Sequence, residues 1–209
     1  EAAHTTDADG LCSVCGVYVA STNEQLEKAV HSVGEDIVIY LKGNLSVDVA
    51  PWETKAMGGV STKTITIDGG GHTLTLNQTD SDWNHVTTNG AKLILKNMDI
   101  TNSGYNNGPW NRHDINFDCE VELENVNSDK ALAFKAGVSL TNVAISDAND
   151  SDTYAIWIQP NGQTVTLNGC TIDMLECTDG RGIKIDDQYV TAQKVTLNVS
   201  DTIFKTEEK

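Results

Sequence analysis

The chain has few basic residues and no long hydrophobic run. Its 209 residues include 14 Lys and Arg against 30 Asp and Glu, so the formal net charge is −16 at pH 7. A field of this sign repels nucleic acids and anionic lipid head groups. No stretch approaches the roughly 20 apolar residues of a membrane span, and no charged region precedes an apolar signal-peptide core. The sequence therefore argues against nucleic-acid binding and membrane insertion.

Proline, arginine and cysteine are also scarce. Three Pro against 17 Gly favour many tight turns, and a hydrophobic fraction of 39% suffices for one domain with a continuous core. Five cysteines are too few for a dense disulfide framework, and their odd number leaves at least one unpaired. We expect three of them to be buried thiols that pack as small hydrophobes: Cys119, Cys170 and Cys177.

The composition also bears on location. Abundant Thr, Asn, Asp and Gly with only two Arg is typical of a secreted β protein, so we expect an extracellular or cell-surface location. Because the chain starts at Glu1 rather than Met, we expect a processed protein or an excised fragment whose export signal or anchor lies elsewhere.

A short apolar alternation returns along the chain and predicts a stack of strands. Each copy buries one face of a strand. Most successive copies are 27 to 30 residues apart, a period typical of repeat architectures. The copies are Ile65–Ile67, Leu93–Leu95, Val121–Leu123, Val138–Leu140, Val165–Leu167 and Val195–Leu197.

Two further signals accompany this alternation. Most copies are followed by Asn or Gly at one position, where a turn needs a strained backbone and one Asn can bond the Asn of the next repeat. These residues are Asn97, Asn125, Asn142 and Gly169. A second strand-like run, often closed by Gly, lies between the copies: His85–Gly90, Ile115–Phe117, Ala131–Gly137, Ala155–Ile158 and Gly182–Ile185.

These repeats resemble the right-handed parallel β-helix of the pectate-lyase-like superfamily, and Thr66–Leu76 is similar to its common early coil. The resemblance covers roughly residues 35 to 205 and implies an all-β solenoid of about six to seven coils, each stacked on the next. Equivalent strands would then pair about 4.8 Å apart. The helix-bearing pattern of leucine-rich repeats is absent from the sequence, and a β-sandwich is the alternative fold.

A short helix is predicted before the repeats. Ser21–Val33 fits an amphipathic helix with Ser21 or Thr22 as its N-cap. It would cover the open N-terminal end of the stack, which would otherwise expose strand edges. We therefore divide the chain into a linker or incomplete zinc-knuckle-like segment, 1–20, and a β-helix domain, 21–209. The apolar face of the helix comprises Leu26, Ala29, Val30 and Val33.

The N-terminal segment carries half of a zinc site. Cys12 and Cys15 have the C-x-x-C spacing that lets two thiolates bind one tetrahedral ion, and His4 could add a third ligand. The segment resembles short H-x(n)-D-G-x-C-x-x-C-G segments between domains of large surface proteins in Gram-positive gut bacteria. A linker remnant or a local disulfide is the alternative.

Two loops predict a ligand-binding surface. The step from Trp83 to Trp110 is 27 residues and that from His85 to His113 is 28, so these residues are expected on adjacent coils. Indole faces suit the apolar C–H surface of sugars, and flanking polar groups suit hydroxyls. The alternative is a ladder that only packs a loop. The candidate saccharide-binding residues are Asp82, Trp83, His85, Trp110, Arg112, His113 and Asp114.

A different class of function, catalysis, has one candidate centre. The resemblance implies a comparison with pectate lyases, which use a basic residue beside acidic calcium ligands, and with polygalacturonases, which carry Arg-Ile-Lys and paired Asp. Here the basic pair is spaced one residue differently and the Asp pair follows it. The alternative is a solvated strand with local ion pairs. The candidate residues are Asp179, Arg181, Lys184, Asp186 and Asp187.

One acidic loop, Asp147–Asp152, offers oxygens for Ca²⁺ but lacks the Gly and distal Glu of an EF-hand, so an acidic surface loop is the alternative. Calcium and zinc are the two cofactors that the sequence leaves open. The leading hypothesis is a non-catalytic module of a bacterial surface or secreted protein that binds a polysaccharide or cell-surface glycan and adjoins other domains of its parent. A lyase or glycosidase acting on pectin-like polymers is the alternative.

Overall fold

A computed structural model describes residues 5–49, 56–78, 85–103, 115–146, 154–174, 181–185 and 193–205, with the backbone alone for Gln78, His85 and Arg181. The described part is all-β apart from one helix, α1 (Asn23–Val30). Its strands are parallel and lie in stacked sheets, an arrangement compatible with a β-solenoid.

The first row of strands, row A, contains most of the alternating segments identified in the sequence. Most of its members alternate buried and outward residues, as a strand with one face on a core does, whereas β17 is exposed along its whole length. In order they are β1 (Tyr18–Ala20), β2 (Asp36–Leu41), β4 (Thr64–Asp68), β7 (Lys92–Asn102), β9 (Val121–Ser128), β11 (Val138–Thr141), β14 (Thr164–Asn168) and β17 (Thr196–Ser200).

Row B shares the thirteen-stranded sheet with row A in the described part of the chain, because the long strands β7 and β9 turn a corner and pass through both rows. Its other members are β3 (Leu45–Val49), β5 (Thr73–Gln78), β12 (Ala144–Ser146), β15 (Thr171–Asp173) and β18 (Ile203–Lys205).

Row C is a separate five-stranded sheet among the described residues, and it matches the second set of runs predicted from the sequence. In spatial order it comprises β6 (His85–Val86), β8 (Ile115–Phe117), β10 (Leu132–Phe134), β13 (Tyr154–Ile158) and β16 (Arg181–Ile185). Side chains from all three rows form one continuous core.

The predicted polar corner between rows A and B is confirmed. Asn97, Asn125 and Asn142 all have positive φ values, 54°, 53° and 52°. Asn125 Nδ2 donates to Asn97 Oδ1 at 3.0 Å, and Asn142 Nδ2 donates to Asn125 Oδ1 at 3.2 Å. Gly169 takes the next corner position with φ 65°, and a Cβ there would lie 2.6 Å from Asn142 Oδ1. At this position the side chain of Asn142 occupies the space into which a Cβ would project.

Replacing Asn125 tests this corner. Asn125→Ala removes two ladder hydrogen bonds and forces a left-handed backbone on alanine, so we expect about 2 kcal/mol less stability. Asn125→Gly keeps the backbone conformation and loses only the bonds, so it should cost less than alanine. Urea denaturation of both variants measures the difference. Equal losses would mean that the left-handed conformation contributes nothing.

Helix α1 covers the N-terminal end of the stack, as predicted, but it is shorter than expected. Thr22 is the N-cap, and its Oγ1 accepts from the backbone N–H of Gln25 at 3.2 Å. Leu26, Ala29 and Val30 are buried, as the amphipathic pattern requires. Val33 is not: the helix ends before it, and its side chain is 71% exposed.

Strand register agrees with the predicted repeat over most of row A. Ile65, Leu93 and Val121 are register partners in successive strands. The last repeat departs from the prediction. Val165 pairs with Leu197 rather than with Val195, so β17 is displaced by two residues from the expected alignment.

Candidate functional site

Row C is the sheet that carries the described parts of both candidate sites, with His85 at one end and Arg181 and Lys184 at the other. Parallel neighbours pair position by position, so one residue of each strand falls on a single line across row C. The core-facing neighbours, Phe117, Phe134 and Ile158, alternate with this line. From β6 to β16 the register positions are His85, Asn116, Ala133, Trp157 and Lys184.

An aromatic pair and a lysine dominate one end of this face. The rings of Tyr154 and Trp157 are tilted by 54° with centroids 5.6 Å apart. Lys184 Nζ lies 4.8 Å from the Trp157 ring centroid and 5.4 Å from that of Tyr154. A cation so placed is attracted by the ring quadrupoles. We call Tyr154, Trp157 and Lys184 the aromatic–lysine cluster.

The rings of this cluster are packed. Trp157 is 5% exposed and Tyr154 is 7% exposed, and both belong with Ala131 and Ala133 to a second apolar cluster outside the main core. An indole covered to this extent offers no open face to a ligand, so the pair serves as a rigid platform beneath the half-buried Lys184. Lys184 is the group of the cluster that can meet a polar ligand.

The sequence alone did not place Tyr154 and Trp157 together on the outer side of row C. Strict strand alternation would put residues three apart on opposite faces, yet both rings lie on the outer side while Ala155, Ile156 and Ile158 join the core. The signal that the sequence did carry was the aromatic content of this strand.

Six of the seven predicted saccharide-binding residues lie outside the described residues: Asp82, Trp83, Trp110, Arg112, His113 and Asp114. The backbone of His85 is described, and its register partner is Asn116, 31 residues further along. The expected step of 28 residues from His85 to His113 is therefore not the register of β6 and β8. The two strands that follow these loops are nevertheless direct neighbours.

The catalytic candidates are only partly described. Arg181 and Lys184 both lie in β16, where Arg181 pairs with Tyr154 and Lys184 pairs with Trp157. Asp179, Asp186 and Asp187 lie outside the described residues, as does the acidic loop at 147–152. β16 and β6 are the two ends of row C, four strand spacings or about 19 Å apart. The described residues of the two candidate sites therefore share one sheet but lie at opposite ends of it.

The C-x-x-C segment forms an ordered turn beside helix α1. The Cys12 backbone N–H donates to Val17 O at 2.8 Å and the Gly16 N–H donates to Cys12 O at 2.8 Å. Cys12 is buried and Cys15 is exposed. His4 lies outside the described residues, and within those residues no group of three or more His, Cys, Asp or Glu could hold a metal ion. The zinc site thus remains a prediction.

The N-terminal segment is hydrogen-bonded to helix α1. Lys28 Nζ lies 2.6 Å from Asp9 Oδ1, and this hydrogen bond and charge raise the pKa of Lys28. Gln25 Nε2 donates to Ala8 O at 3.1 Å. β1, which lies before the domain boundary that we placed at residue 20, pairs with β2. The position of that boundary stays a prediction.

Two of the cysteines expected in the core are buried there. Cys170 is 1% exposed, and Cys119, at 7%, donates from Sγ to Val86 O at 3.6 Å. Burial raises the pKa of the Cys119 thiol to about 12, and the Asp118 carboxylate adds to this shift. Cys177 lies outside the described residues.

These environments predict selective alkylation. The thiolate is the reactive form, and the raised pKa of Cys119 keeps that thiol protonated at mildly alkaline pH. Iodoacetamide should therefore modify the exposed Cys15 in the folded protein and leave Cys119 unmodified until the protein is denatured. Peptide mass spectrometry measures both sites. Equal labelling of the two residues under native conditions would contradict the burial of Cys119.

In comparisons with known proteins, no family model matches the chain, and no curated protein or solved structure is significantly similar. Within the described residues no helix combines the length and apolar character that a membrane crossing requires.

Proposed function

We propose that the chain is a right-handed parallel β-helix of the pectate-lyase-like type that acts as an extracellular, non-catalytic module and binds a polysaccharide or cell-surface glycan. The parallel stacking supports the architecture, since a crossover between parallel strands of one sheet is almost always right-handed. The proposed binding surface is formed by the loops that carry Trp83 and Trp110, at the β6 end of row C.

The observation that carries this proposal is the pairing of β6 with β8. His85 pairs with Asn116 and Val86 with Phe117, in parallel. The segment with Trp83 leads into β6, and the segment with Trp110 leads into β8. Neighbouring parallel strands start at the same edge of a sheet about 4.8 Å apart, so we expect both segments to bring an indole near that edge. Two aromatic residues at one edge fit a shallow saccharide-binding surface.

Charge and packing favour binding without turnover. A protein of net charge −16 steers an anionic polyuronate poorly. Lys184, one of the two basic candidates for proton abstraction, has its amino group over two aromatic rings. These cation–π contacts engage the amino group with the protein itself. A neutral or weakly charged glycan is therefore the preferred ligand class.

A glycan array with purified protein tests the proposal. We expect Trp83→Ala and Trp110→Ala each to weaken binding at least tenfold, because each removes an indole face. Tyr40→Ala is the matched control: its ring is 41% exposed on row A, and its loss should leave binding within twofold. Binding that survives both tryptophan replacements would sink the proposed surface.

A parallel assay separates binding from catalysis. Reducing-sugar and unsaturated-uronate assays on plant and mucosal polysaccharides should detect no turnover. Turnover that Arg181→Ala abolishes would instead support a lyase or glycosidase centred on β16.

A further inference from the structure

The last described strands expose positions that are buried one strand earlier. Val165 and Leu167 in β14 are fully buried, whereas their register partners in β17, Leu197 and Val199, are 36% and 46% exposed. The same change occurs in the other two rows. Ile172 and Ile158 are fully buried, and their partners Phe204 and Ile185 are 43% and 46% exposed. These four side chains are therefore aligned with core residues of the preceding strands but are exposed to solvent.

The backbone of β17 is open on the same side. The Thr196 N–H donates to Gln163 O, and Ser200 O accepts from the Gly169 N–H, each at 3.1 Å. Since the N–H and C=O of successive strand residues point to alternate sides, those of Leu197 and Val199 point away from β14. No described strand pairs with that outer edge.

The opposite end of the stack is protected. Asn23 Oδ1 accepts from the Ser46 N–H at 2.9 Å, and Glu27 Oε1 accepts from the Asp48 N–H at 2.7 Å. Helix α1 thereby occupies the edge of β3 with its own side chains. β17 has no such cover among the described residues, and it contains neither the charge nor the proline with which proteins usually block an edge strand.

We propose that the outer edge of β17 is a self-association surface, on which a second copy of this chain docks end to end through an antiparallel β17–β17 pair centred on Asn198. In this register Leu197 lies opposite Val199 of the partner. Their outward N–H and C=O groups would form about four hydrogen bonds across the two-fold axis. Directly opposed residues share a face, so the apolar pairs extend the core of each copy. The arrangement is self-complementary, as a two-fold interface requires.

The charge distribution favours the edge formed by β17 and β18 as the place where two copies approach each other. The chain carries net charge −16, so most approaches bring carboxylates together. Neither β17 nor β18 contains an Asp or Glu, and the side chains of the pair are neutral. Two acidic molecules can meet here without opposing carboxylates across the strand pair, and salt that screens the remaining charge should strengthen the contact.

The exposed core positions indicate a weak dimer. The four side chains expose apolar surface on the order of 300 Å² per copy, less than half of the ~800 Å² that each partner buries in a standard interface. A dissociation constant in the micromolar range, roughly 1–100 μM, is consistent with that area and four hydrogen bonds.

Sedimentation velocity over a concentration series tests the proposal, at low and at near-physiological ionic strength. The wild-type chain should form a dimer that tightens with salt and does not grow further, because a two-fold contact closes. Val199→Lys should raise the dissociation constant at least tenfold. Val199→Pro should do the same by removing an N–H that points away from β14. Circular dichroism would check that both variants fold.

Val60→Lys is the matched control, since Val60 is 96% exposed elsewhere on the chain and its replacement should leave the dimer within twofold. Three outcomes would each overturn the proposal: a wild-type chain that stays monomeric, a folded Val199→Lys variant that still dimerises like wild type, or equal loss of the dimer in Val60→Lys. The proposed glycan binding lies at the other end of row C and does not enter this test.

Discussion

Phe134→Ala is expected to lower the free energy of unfolding by about 3–5 kcal/mol, the cost typical of deleting a buried aromatic ring. Phe134 is fully buried in β10, and its ring stacks on that of Phe117 with centroids 5.6 Å apart and an interplanar angle of 14°. The two residues are register partners in row C, so the cavity would open between two strands of the stack. Chemical denaturation measures the loss.

Tyr40→Ala is the control for aromatic loss, because Tyr40 points outward from β2 and is 41% exposed. Its replacement should cost about 1 kcal/mol or less, as surface substitutions usually do. Similar losses of stability in the two variants would mean that Phe134 does not lie in a packed core. They would contradict the packing of this face of row C against the interior.

Gly69→Ala is expected to cost about 2–3 kcal/mol through overpacking. A Cβ on Gly69 would overlap the Cβ of Met98, and it would lie 3.0 Å from Asn97 O. Both are atoms that cannot move aside, because Met98 is 2% exposed and the Gly69 N–H is held by Lys96 O at 2.9 Å. The glycine is needed here because two successive corners approach each other closely.

Gly43→Ala is the matched control for this replacement. A Cβ on Gly43 meets no atom within 4 Å, and its backbone is not in the left-handed region. The alanine variant should keep its stability within about 0.5 kcal/mol or gain slightly, since alanine restricts the unfolded chain. Thermal denaturation of both variants decides the matter, and an unchanged Tm for Gly69→Ala would contradict the close stacking of β4 on β7.

The strand rows could be predicted from the sequence because alternation at fixed intervals leaves few other ways to bury one face of each strand. Ile65, Leu93 and Val121 illustrate this, since each is buried and each pairs with the next. The Asn corner was predictable for a related reason. A left-handed residue that bonds its equivalent in the next repeat favours Asn over most side chains.

The register of β17 could not be predicted in the same way. Val195, Leu197 and Val199 continue one alternation, and a shift of two residues keeps every side chain on its own face. Alternation alone therefore cannot distinguish Val195 from Leu197 as the partner of Val165. In the structure the register partner of Val165 is Leu197.

The candidate site was less predictable than the fold. The strands that follow Trp83 and Trp110 in the sequence, β6 and β8, are neighbours, but the step that aligns them is 31 residues rather than 28, and a shared surface of the two indoles stays a prediction. The aromatic–lysine cluster was not predicted as a unit. Its three members come from two strands, and the outward position of Tyr154 departs from strict alternation.

The most direct test of the central claim, a stack of parallel strands in register, is a set of spin-label distances along row A. Val38, Ser139, Thr166 and Asn198 occupy one register line on this row, through Thr66, Ile94 and Glu122. With one label fixed at Val38, the backbone separations to Ser139, Thr166 and Asn198 should be about 19, 24 and 29 Å, rising by one strand spacing each time. Double electron–electron resonance would measure them. Distances that fail to increase in that order, as in an antiparallel sandwich, would contradict the account.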